Sequence, residues 1–394
     1  MQRERDHDIV LFGATGYTGA LTAAYLATRL PDGARWALAG RDGGRLAEVR
    51  KRVTASAPNA PEPDLLVADV TDRASIRTLA ASARVVITTV GPYAVHGEPL
   101  VAACAAEGTD YVDLCGEPAF VDRMYVAHHA TARRTGARIV HACGFDSIPH
   151  DLGAWFTVNR LPEGVPLHVE GFVRAKGTAS GGTLHSMMGA FADPGEMVAA
   201  ARERRAVEEP PEGRRVRVDL RGVPRTRLAR GWTLPLPTLD PQVVVRSAAA
   251  SERYGPDFSY GHYAAFRWPT SALGAALGTA GLMAAAQVGP LRERLLALRA
   301  PGEGPTEEQL ATGWFSVRFA GTGGGRRVYT EVTGGEPGYA ATSIMLAESA
   351  LCLWRDDLPA TSGQVTTAVA MGDALIERLR AAGFGFRVLE TVED

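Results

Sequence analysis

Three glycines near the N-terminus, Gly13, Gly16 and Gly19, are spaced three residues apart. They follow a short apolar run, residues 9–12, and precede residues 20–30, which are rich in alanine and leucine. This order predicts a buried parallel strand, a sharp turn and a helix. Glycines at such a turn let backbone N–H groups approach a phosphate at the helix N-terminus. The alternative is a structural strand, turn and helix without a ligand.

A second predicted strand, residues 35–40, ends directly before Arg41 and Asp42. In dinucleotide-binding folds an acid at this position binds the ribose 2′-hydroxyl of NAD, whereas an arginine accommodates the 2′-phosphate of NADP. The planar guanidinium can bind a phosphate through two N–H groups and stack on adenine. Arg41 therefore favours NADP, and Asp42 keeps NAD as an alternative. A solvated arginine at a strand end is the structural alternative.

Residues suited to ligand contacts also follow the next two predicted strands. Asp69 ends the strand at residues 65–68, where it would meet the adenine or, with its neighbours, cap a helix. Gly91, Pro92 and Tyr93 follow the strand at residues 84–90. Ligands of open α/β sheets bind beyond the carboxyl ends of the strands, so these three residues are predicted to lie near the nicotinamide.

The chain has 394 residues, of which 46% are hydrophobic, and this is enough for two or three packed domains. Strands alternate with helices through residue 150, which predicts an α/β fold with a Rossmann-type doubly wound parallel sheet. The net charge of −2 disfavours nucleic-acid binding. Four scattered cysteines are typical of reduced core residues in a cytoplasmic protein, and the charged N-terminus does not resemble a signal peptide.

Five motifs in this half of the chain resemble the saccharopine dehydrogenase-like superfamily. They are residues 13–19 (Gly-Ala-Thr-Gly-Tyr-Thr-Gly), 39–42 (Ala-Gly-Arg-Asp), 91–101 (Gly-Pro-Tyr-Ala-Val-His-Gly-Glu-Pro-Leu-Val), 111–117 (Tyr-Val-Asp-Leu-Cys-Gly-Glu) and 144–153 (Gly-Phe-Asp-Ser-Ile-Pro-His-Asp-Leu-Gly). Together with residues 301–305, 337–342 and 370–379, they are similar to the trans-acting enoyl reductases of actinobacteria. The resemblance implies a dinucleotide-binding fold and an NADP cofactor, and it is less specific for the substrate.

A second glycine-rich turn, residues 176–183, follows a predicted strand at residues 167–174 and precedes a predicted helix at residues 184–206. It is interpreted as a site for a carboxylate, phosphate or thioester oxygen, or as a plain connector. Residues 202–230 contain ten arginines and five acids. This basic stretch is either an exposed loop with solvated charges or a docking surface for an acyl carrier protein or a coenzyme A phosphate.

Residues 268–291 contain no charged side chain. The first interpretation is a buried helix, in the core or at a subunit contact where small residues pack closely. The second is an apolar lip for an acyl chain or a membrane surface, and the last is a transmembrane helix, which the alanine, glycine and proline content disfavours. Residues 314–320 and 327–332 predict a hairpin.

The predicted domains are a dinucleotide-binding domain at residues 1–150, an α+β substrate and oligomerisation domain at residues 151–340, and C-terminal helices at residues 341–394 that pack back on the first domain. A homodimer is expected. The predicted cofactor contacts are Gly13, Thr15, Gly16, Tyr17, Thr18, Gly19, Arg41, Asp69, Gly91, Pro92 and Tyr93.

Reduction of an enoyl group requires a hydride, a donor for the enolate oxygen and a proton for the α-carbon. Tyr93 is the first candidate for the donor and the proton source, followed by Asp146 and His150, because their loops should converge on the crevice. Contact with the cofactor is the favoured interpretation of Tyr93, and a structural role, such as helix capping by Asp146, is favoured for the other two. His96 and, from the substrate side, His185 are further candidates. Metal-binding and hydrolase motifs find little support in the sequence.

The predicted function is therefore an NADPH-dependent enoyl reductase acting on an acyl or polyketide-type substrate, in partnership with an acyl carrier protein or a polyketide synthase. A saccharopine dehydrogenase-type reaction on an imine is the second hypothesis, with Arg174 and Lys176 as groups for substrate carboxylates. A non-catalytic NADP-binding or lipid-surface protein is the third.

Overall fold

The chain forms two β-sheets. The computed structural model describes residues 4–177, 188–189, 192–219, 221, 225–226, 228, 231–236, 238–297 and 304–393. The first sheet has seven strands, every neighbouring pair of which is parallel. Its strands are β1 (His7–Phe12), β2 (Trp36–Gly40), β3 (Asp64–Val67), β4 (Ala83–Thr88), β5 (Asp110–Val112), β6 (Arg138–Val140) and β14 (Gly363–Val365).

Helices connect these strands, and glycine and proline residues determine where several of them begin and end. They are α1 (Tyr17–Arg29), α2 (Gly43–Ser56), α3 (Arg73–Ser82), α4 (Tyr93–His96), α5 (Glu98–Glu107), α6 (Pro118–Thr135) and α7 (Ile148–Val158). Helices α5 and α6 end at Gly108 and Gly136, whose φ angles of 72° and 86° favour glycine. Proline occupies the first turn of α6, where its missing N–H leaves no bond unmade.

The strand order of this sheet is β14-β6-β5-β4-β1-β2-β3. Strand β2 and residues 9–12 of β1 are fully buried apolar runs, as expected for a sheet covered on both faces. The order reverses between β1 and β4, and in doubly wound sheets this switch point opens the ligand crevice. The predicted Rossmann-type sheet is thus confirmed, with β14 as an additional strand from the C-terminal part of the chain.

The second sheet is mixed and has eight strands. They are β7 (Leu167–Lys176), β8 (Arg215–Val218), β9 (Arg225–Thr226), β10 (Gly231–Pro235), β11 (Asp257–Phe266), β12 (Trp314–Gly323), β13 (Arg326–Gly334) and β15 (Gly385–Glu393). Their order is β15-β13-β12-β7-β11-β10-β9, with β8 paired to β11. The predicted hairpin is confirmed as β12 and β13, whereas the final strand β15 was not predicted.

Helix α7 joins the two sheets. A Cβ built on its Gly153 would overlap the ring of Phe319 on β12, so glycine permits the close approach of helix and sheet. Further α-helices within the described ranges are α8 (Pro194–Val207), α9 (Asp240–Ala250), α10 (Pro269–Ala286), α11 (Gly289–Ala297), α12 (Glu307–Thr312), α13 (Ala340–Arg355), α14 (Thr367–Ala370) and α15 (Gly372–Ala381). Helix α13 packs against α1 and the first sheet, as predicted for the C-terminal helices.

The uncharged stretch forms α10 and the start of α11, and it is mostly exposed. Leu273 and Leu277 are 61% and 65% exposed, so the expectation that this helix lies in the core of the chain was wrong. Helix α10 has apolar residues on all of its sides. A helix on the surface of one chain packs against the rest of that chain with only one of its sides, so the other apolar sides stay exposed. No single helix in the described ranges is long and apolar enough to cross a membrane, although α10 and residues 289–295 meet the criteria of length and composition as a pair bent by 119°.

Candidate active site

The glycine turn after β1 is shaped to receive a phosphate. Gly13 has a φ of 92°, and a Cβ on Gly19 would overlap the Gly13 carbonyl oxygen, so α1 packs directly on the turn. The first helical hydrogen bond of α1 runs from Ala20 N to Gly16 O. The backbone N–H groups of residues 17–19 precede it and have no partner four residues back in the helix. The turn therefore fits a cofactor phosphate at a helix N-terminus.

The other residues predicted in this turn have defined backbone contacts. The Thr15 carbonyl accepts from Arg45 Nη2 at 3.3 Å, and the Thr18 carbonyl accepts from Thr22 Oγ1 at 2.8 Å. The Tyr17 hydroxyl donates to the Pro305 carbonyl at 2.9 Å, which places residues 304–305 beside the turn. The side chain of Tyr17 thus contacts a segment that lies outside the first sheet and its connecting helices.

The adenosine end of the crevice brings together Arg41, Asp69 and His96. Hydrogen bonds from Thr71 N and Oγ1 hold the pKa of the Asp69 carboxyl below its usual value, and the charges of Arg41 and His96 lower it further. Arg41 itself is exposed directly beyond β2. These side chains lie at the carboxyl ends of β2, β3 and β4, where an adenosine ribose would meet them.

Asp42 has a structural role at this end of the crevice. Its Oδ1 accepts from Arg45 N at 3.0 Å and caps α2. The Asp42 carboxylate, on which the NAD alternative rested, is therefore engaged in capping α2. Arg41 is exposed beside it and can bind a ribose phosphate.

Replacing Arg41 with alanine is expected to raise the Kd for NADPH about 10–100-fold, because a hydrogen bond to a charged group contributes about 1.5–3 kcal/mol. The Kd for NADH, which lacks the 2′-phosphate, is expected to stay unchanged. Fluorescence titration of both cofactors measures this, with the exposed Arg73 at the start of α3 replaced as the control. An equal loss for both cofactors would contradict a phosphate contact by Arg41.

Glu117 orders the loop that contains Gly91, Pro92 and Tyr93. Its buried carboxylate accepts from Tyr93 N at 3.0 Å and from Ala94 N at 2.7 Å, and so caps the short helix α4. Gly91 and Pro92 remain exposed at the carboxyl end of β4. The sequence gave no sign of this contact, because Glu117 lies 23 residues along the chain from Ala94.

The Tyr93 side chain turns into the core. Its hydroxyl donates to the Thr88 carbonyl at 3.2 Å and accepts from Leu114 N at 3.1 Å. Burial, followed by the charge of Asp113, raises the pKa of Tyr93 well above its usual value. Because its proton is already donated to a backbone carbonyl, the structure does not support the expectation that Tyr93 is the first candidate for the acid. The hydroxyl instead links β4 to the loop after β5.

Replacing Tyr93 with phenylalanine is expected to leave kcat unchanged and to lower stability by about 1–3 kcal/mol, since two buried backbone groups lose their partner. Thermal unfolding and steady-state rates measure the two effects. Tyr329, for which the structure shows a partly exposed side chain on β13, is a control for loss of a phenol. A large fall in kcat at wild-type stability would return Tyr93 to the catalytic residues.

Asp113 is the centre of a buried network beneath the crevice. Its Oδ1 accepts from Cys115 N at 3.0 Å and from Ala142 N at 2.9 Å. Its Oδ2 accepts from the Tyr111 hydroxyl at 2.9 Å and lies 2.6 Å from His141 Nδ1. One carboxylate therefore links the loop after β5 to the loop after β6, and the second of these loops carries Asp146.

Asp146 lies in the loop after β6, next to the loop after β5. A Cβ on Gly116 would stand 3.7 Å from Asp146 Oδ1, and Gly116 adjoins Glu117, which holds the loop at Tyr93. Burial, followed by the charges of Asp240 and Asp113, raises the pKa of Asp146 to about 7. A partly buried carboxylic acid at this edge of the sheet can hold a proton near neutral pH.

His150 lies behind Asp146 in a buried cluster with Asp240 and His262. His150 Nε2 stands 3.5 Å from Asp240 Oδ1, and His262 Nε2 stands 3.5 Å from Asp240 Oδ2. Burial lowers the pKa of His150, the charge of Asp240 opposes this shift and that of His262 adds to it, and the resulting pKa is about 4. His150 is thus neutral at pH 7 and only 2% exposed, whereas Asp146 is partly exposed.

Asp151, the neighbour of His150, ties three elements together. Its carboxylate accepts from the hydroxyls of Ser247 and Thr367 and from Ala368 N, at 2.5, 2.7 and 2.8 Å. This is the structural reason for an acid in the motif at residues 144–153. The second glycine-rich turn beyond Gly177, and His185, lie outside the described residues.

Comparison with known proteins identifies an NADP-binding domain and relatives that match nearly the whole chain. Residues 9–140 match the family described as the saccharopine dehydrogenase NADP binding domain. The chain is 36% identical over 417 residues to a trans-acting enoyl reductase of Mycobacterium ulcerans, with 96% of this chain and 97% of the relative covered. It is 39% identical over 420 residues to a Mycobacterium tuberculosis protein named as a candidate trans-acting enoyl reductase, with 96% of each chain covered.

A solved structure shares the whole fold. Saccharopine dehydrogenase (L-Glu forming) from Saccharomyces cerevisiae superposes with a TM-score of 0.56 at 12% identity, covering 98% of this chain and 100% of the yeast chain. At this identity the likeness establishes the fold alone. The NADP-binding domain and the full-length relatives show an NADP-dependent oxidoreductase. The glycine turn, the arginine beyond β2 and the match along 96% of the chain thus place this protein in the trans-acting enoyl reductase family, with a saccharopine dehydrogenase NADP binding domain at residues 9–140.

Proposed function

We propose that this protein uses NADPH to reduce the carbon–carbon double bond of an enoyl thioester on an acyl or polyketide-type chain. The observation that carries the proposal is the similarity to trans-acting enoyl reductases over 96% of the chain. The crevice supports it with a glycine turn for the phosphates and a carboxylic acid, Asp146, at the edge where the nicotinamide would lie.

When bound, NADPH would supply the hydride for the β-carbon in this reaction. The turn at residues 13–19 would hold the cofactor phosphates, and Arg41 would hold the ribose phosphate. Asp146 gives its proton to the α-carbon and is protonated again from solvent, so one double bond gains one hydride and one proton. Glu117 and Asp113 keep the three loops around the reacting atoms in place.

Replacing Asp146 with asparagine is expected to lower kcat by about 10²–10⁴-fold, the usual contribution of a general acid, and to leave the Kd for NADPH unchanged. Because the acid must be protonated, the wild-type kcat is expected to fall as the pH rises through about 7, and this limb should be absent from the variant. The exposed Asp357, replaced in the same way, is the control.

Steady-state NADPH oxidation against two substrate panels tests the proposed function. Turnover of α,β-unsaturated thioesters supports it. Turnover only with an amino acid and a carbonyl compound would establish the imine reaction instead, and tight NADPH binding without turnover on either panel would indicate a non-catalytic protein.

We also propose that the acyl group reaches this protein attached to an acidic carrier protein. Arg202, Arg205 and Arg215 are exposed, and they are the arginines that would meet its acidic surface. Two others have structural partners: Arg214 donates to the carbonyls of Ala248, Ala249 and Ser251, and Arg217 pairs with Asp257. Reversing the charges of the three exposed arginines is expected to raise KM for the carrier-bound substrate and not for a short thioester.

A further inference from the structure

We propose that His150, Asp240 and His262 bind one divalent transition-metal ion, with zinc as the best match to two imidazoles and one carboxylate. The three residues come from separate elements: α7, the first residue of α9, and β11. They are 2%, 3% and 4% exposed, so the cluster is enclosed where α7, α9 and the second sheet meet. Two histidines and a carboxylate are a recurrent ligand set for zinc and for iron(II).

The spacing of the donor atoms fits one ion. All three donors lie within 4.8 Å of one another, and the two distances from histidine Nε2 atoms to the Asp240 oxygens are both 3.5 Å. Zinc binds imidazole nitrogen and carboxylate oxygen at about 2.0–2.2 Å, so two donors at tetrahedral positions stand about 3.3–3.6 Å apart. Each histidine faces a different oxygen of Asp240, so a small rotation of that carboxylate decides how it binds the ion.

The same distances are too long for hydrogen bonds. An N–H group and a carboxylate oxygen bond at about 2.7–3.2 Å. Asp240 Oδ1 and His262 Nε2 are buried atoms without a hydrogen-bond partner in the described residues. Buried polar atoms are nearly always paired, so two such atoms that face a shared centre call for a ligand between them.

Neighbouring side chains orient the donors. The Tyr260 hydroxyl lies 3.1 Å from His262 Nδ1, which leaves Nε2 directed at the cluster. The Thr238 hydroxyl donates to Asp240 Oδ2 and fixes that carboxylate. Outer partners of this kind hold histidine and carboxylate ligands in known metal sites. The rings of His150 and His262 meet edge to face with centroids 4.8 Å apart, so both nitrogens can reach one ion without a rearrangement of α7.

The test is a titration of the metal-free full-length protein with Co²⁺ and with Zn²⁺, in the absence of cofactor and substrate. We expect one equivalent of Co²⁺ to bind with the visible ligand-field absorption of a low-coordinate site, and Zn²⁺ to displace it. We also expect Zn²⁺ to raise the Tm of the wild type, because it binds the folded state. This readout does not involve turnover, so it succeeds or fails independently of the proposed reductase activity.

Substitution of the proposed ligands tests whether these residues bind the metal ion. Asp240→Asn keeps the shape of the side chain and removes its charge, and we expect it to weaken Co²⁺ binding at least about tenfold. His168→Gln is the matched control, because His168 lies on β7 of the same sheet and bonds to Ser259. If Asp240→Asn fails to fold, His262→Gln takes its place. Absence of stoichiometric Co²⁺ binding by the wild type, or equal binding by wild type and Asp240→Asn, would overturn the proposal and leave a purely structural histidine cluster.

Discussion

Replacing Gly19 with alanine is expected to raise the Kd for NADPH at least about 100-fold, since displacement of a binding group by 1 Å can cost that much. The new Cβ would overlap the Gly13 carbonyl oxygen and stand 2.9 Å from the Gly13 carbonyl carbon and 3.0 Å from Ala14 Cα. All three are backbone atoms, which cannot move away as a flexible side chain can. Helix α1 must therefore shift from the turn, and the N–H groups at its start lose their aim at the phosphates.

Gly274 on α10 is the matched control for this substitution. A Cβ there has nothing within 4 Å, and alanine in a helix is favoured over glycine, so Gly274→Ala is expected to leave NADPH binding unchanged and stability unchanged or slightly higher. Fluorescence titration gives both Kd values, and circular dichroism shows that each variant is folded. Wild-type affinity in a folded Gly19→Ala variant would show that the turn is not the phosphate site.

Replacing Asp113 with asparagine is expected to give the largest loss of stability, about 3–5 kcal/mol, as for other buried charged groups that lose their partners. The carboxylate is 0% exposed and is bonded to two backbone N–H groups, one phenol and one imidazole. An asparagine offers one oxygen and turns an N–H₂ group towards donors. The loss should appear as a lower Tm, and as a lower kcat because the loop with Asp146 is released.

Asp72 gives the control for this change. It caps α3 by accepting from Ala74 N at 2.9 Å on the surface, where asparagine caps equally well. Asp72→Asn is therefore expected to keep the wild-type Tm and kcat. An Asp113→Asn variant as stable as Asp72→Asn would contradict the view that this carboxylate holds the two loops together.

The fold of the first half could be predicted because its signals are local. The apolar run at β1, the three glycines and the helix after them follow one another within 25 residues, and backbone sterics alone require glycine at Gly13 and Gly19. The same holds for Arg41, whose place at the end of a strand is a matter of sequence order. Strand β15 gave a weaker signal, since it is mostly exposed at the edge of its sheet and so lacks a buried apolar run.

The catalytic side chains could not be predicted so well, because side-chain direction depends on distant partners. Tyr93 follows β4 as expected, yet Thr88 and Leu114 draw its hydroxyl into the core. Asp240 and His262 lie about a hundred residues from His150, and nothing in their local sequence marks them as its neighbours. The burial of the uncharged helix α10 in the core was predicted wrongly for a related reason. Composition alone does not show whether an apolar helix packs in the core of its own chain or lies on its surface.

The central claim is that NADPH reduces a carbon–carbon double bond in this crevice. The most direct measurement is mass spectrometry of the product formed from an α,β-unsaturated thioester and NADPH carrying deuterium at nicotinamide C4. The account predicts a saturated thioester with one deuterium on the β-carbon, and far less of it when Gly19→Ala replaces the wild type at an NADPH concentration near the wild-type Kd. Deuterium found only in a secondary amine, formed from an amino acid and a carbonyl compound in the parallel reaction, would contradict it.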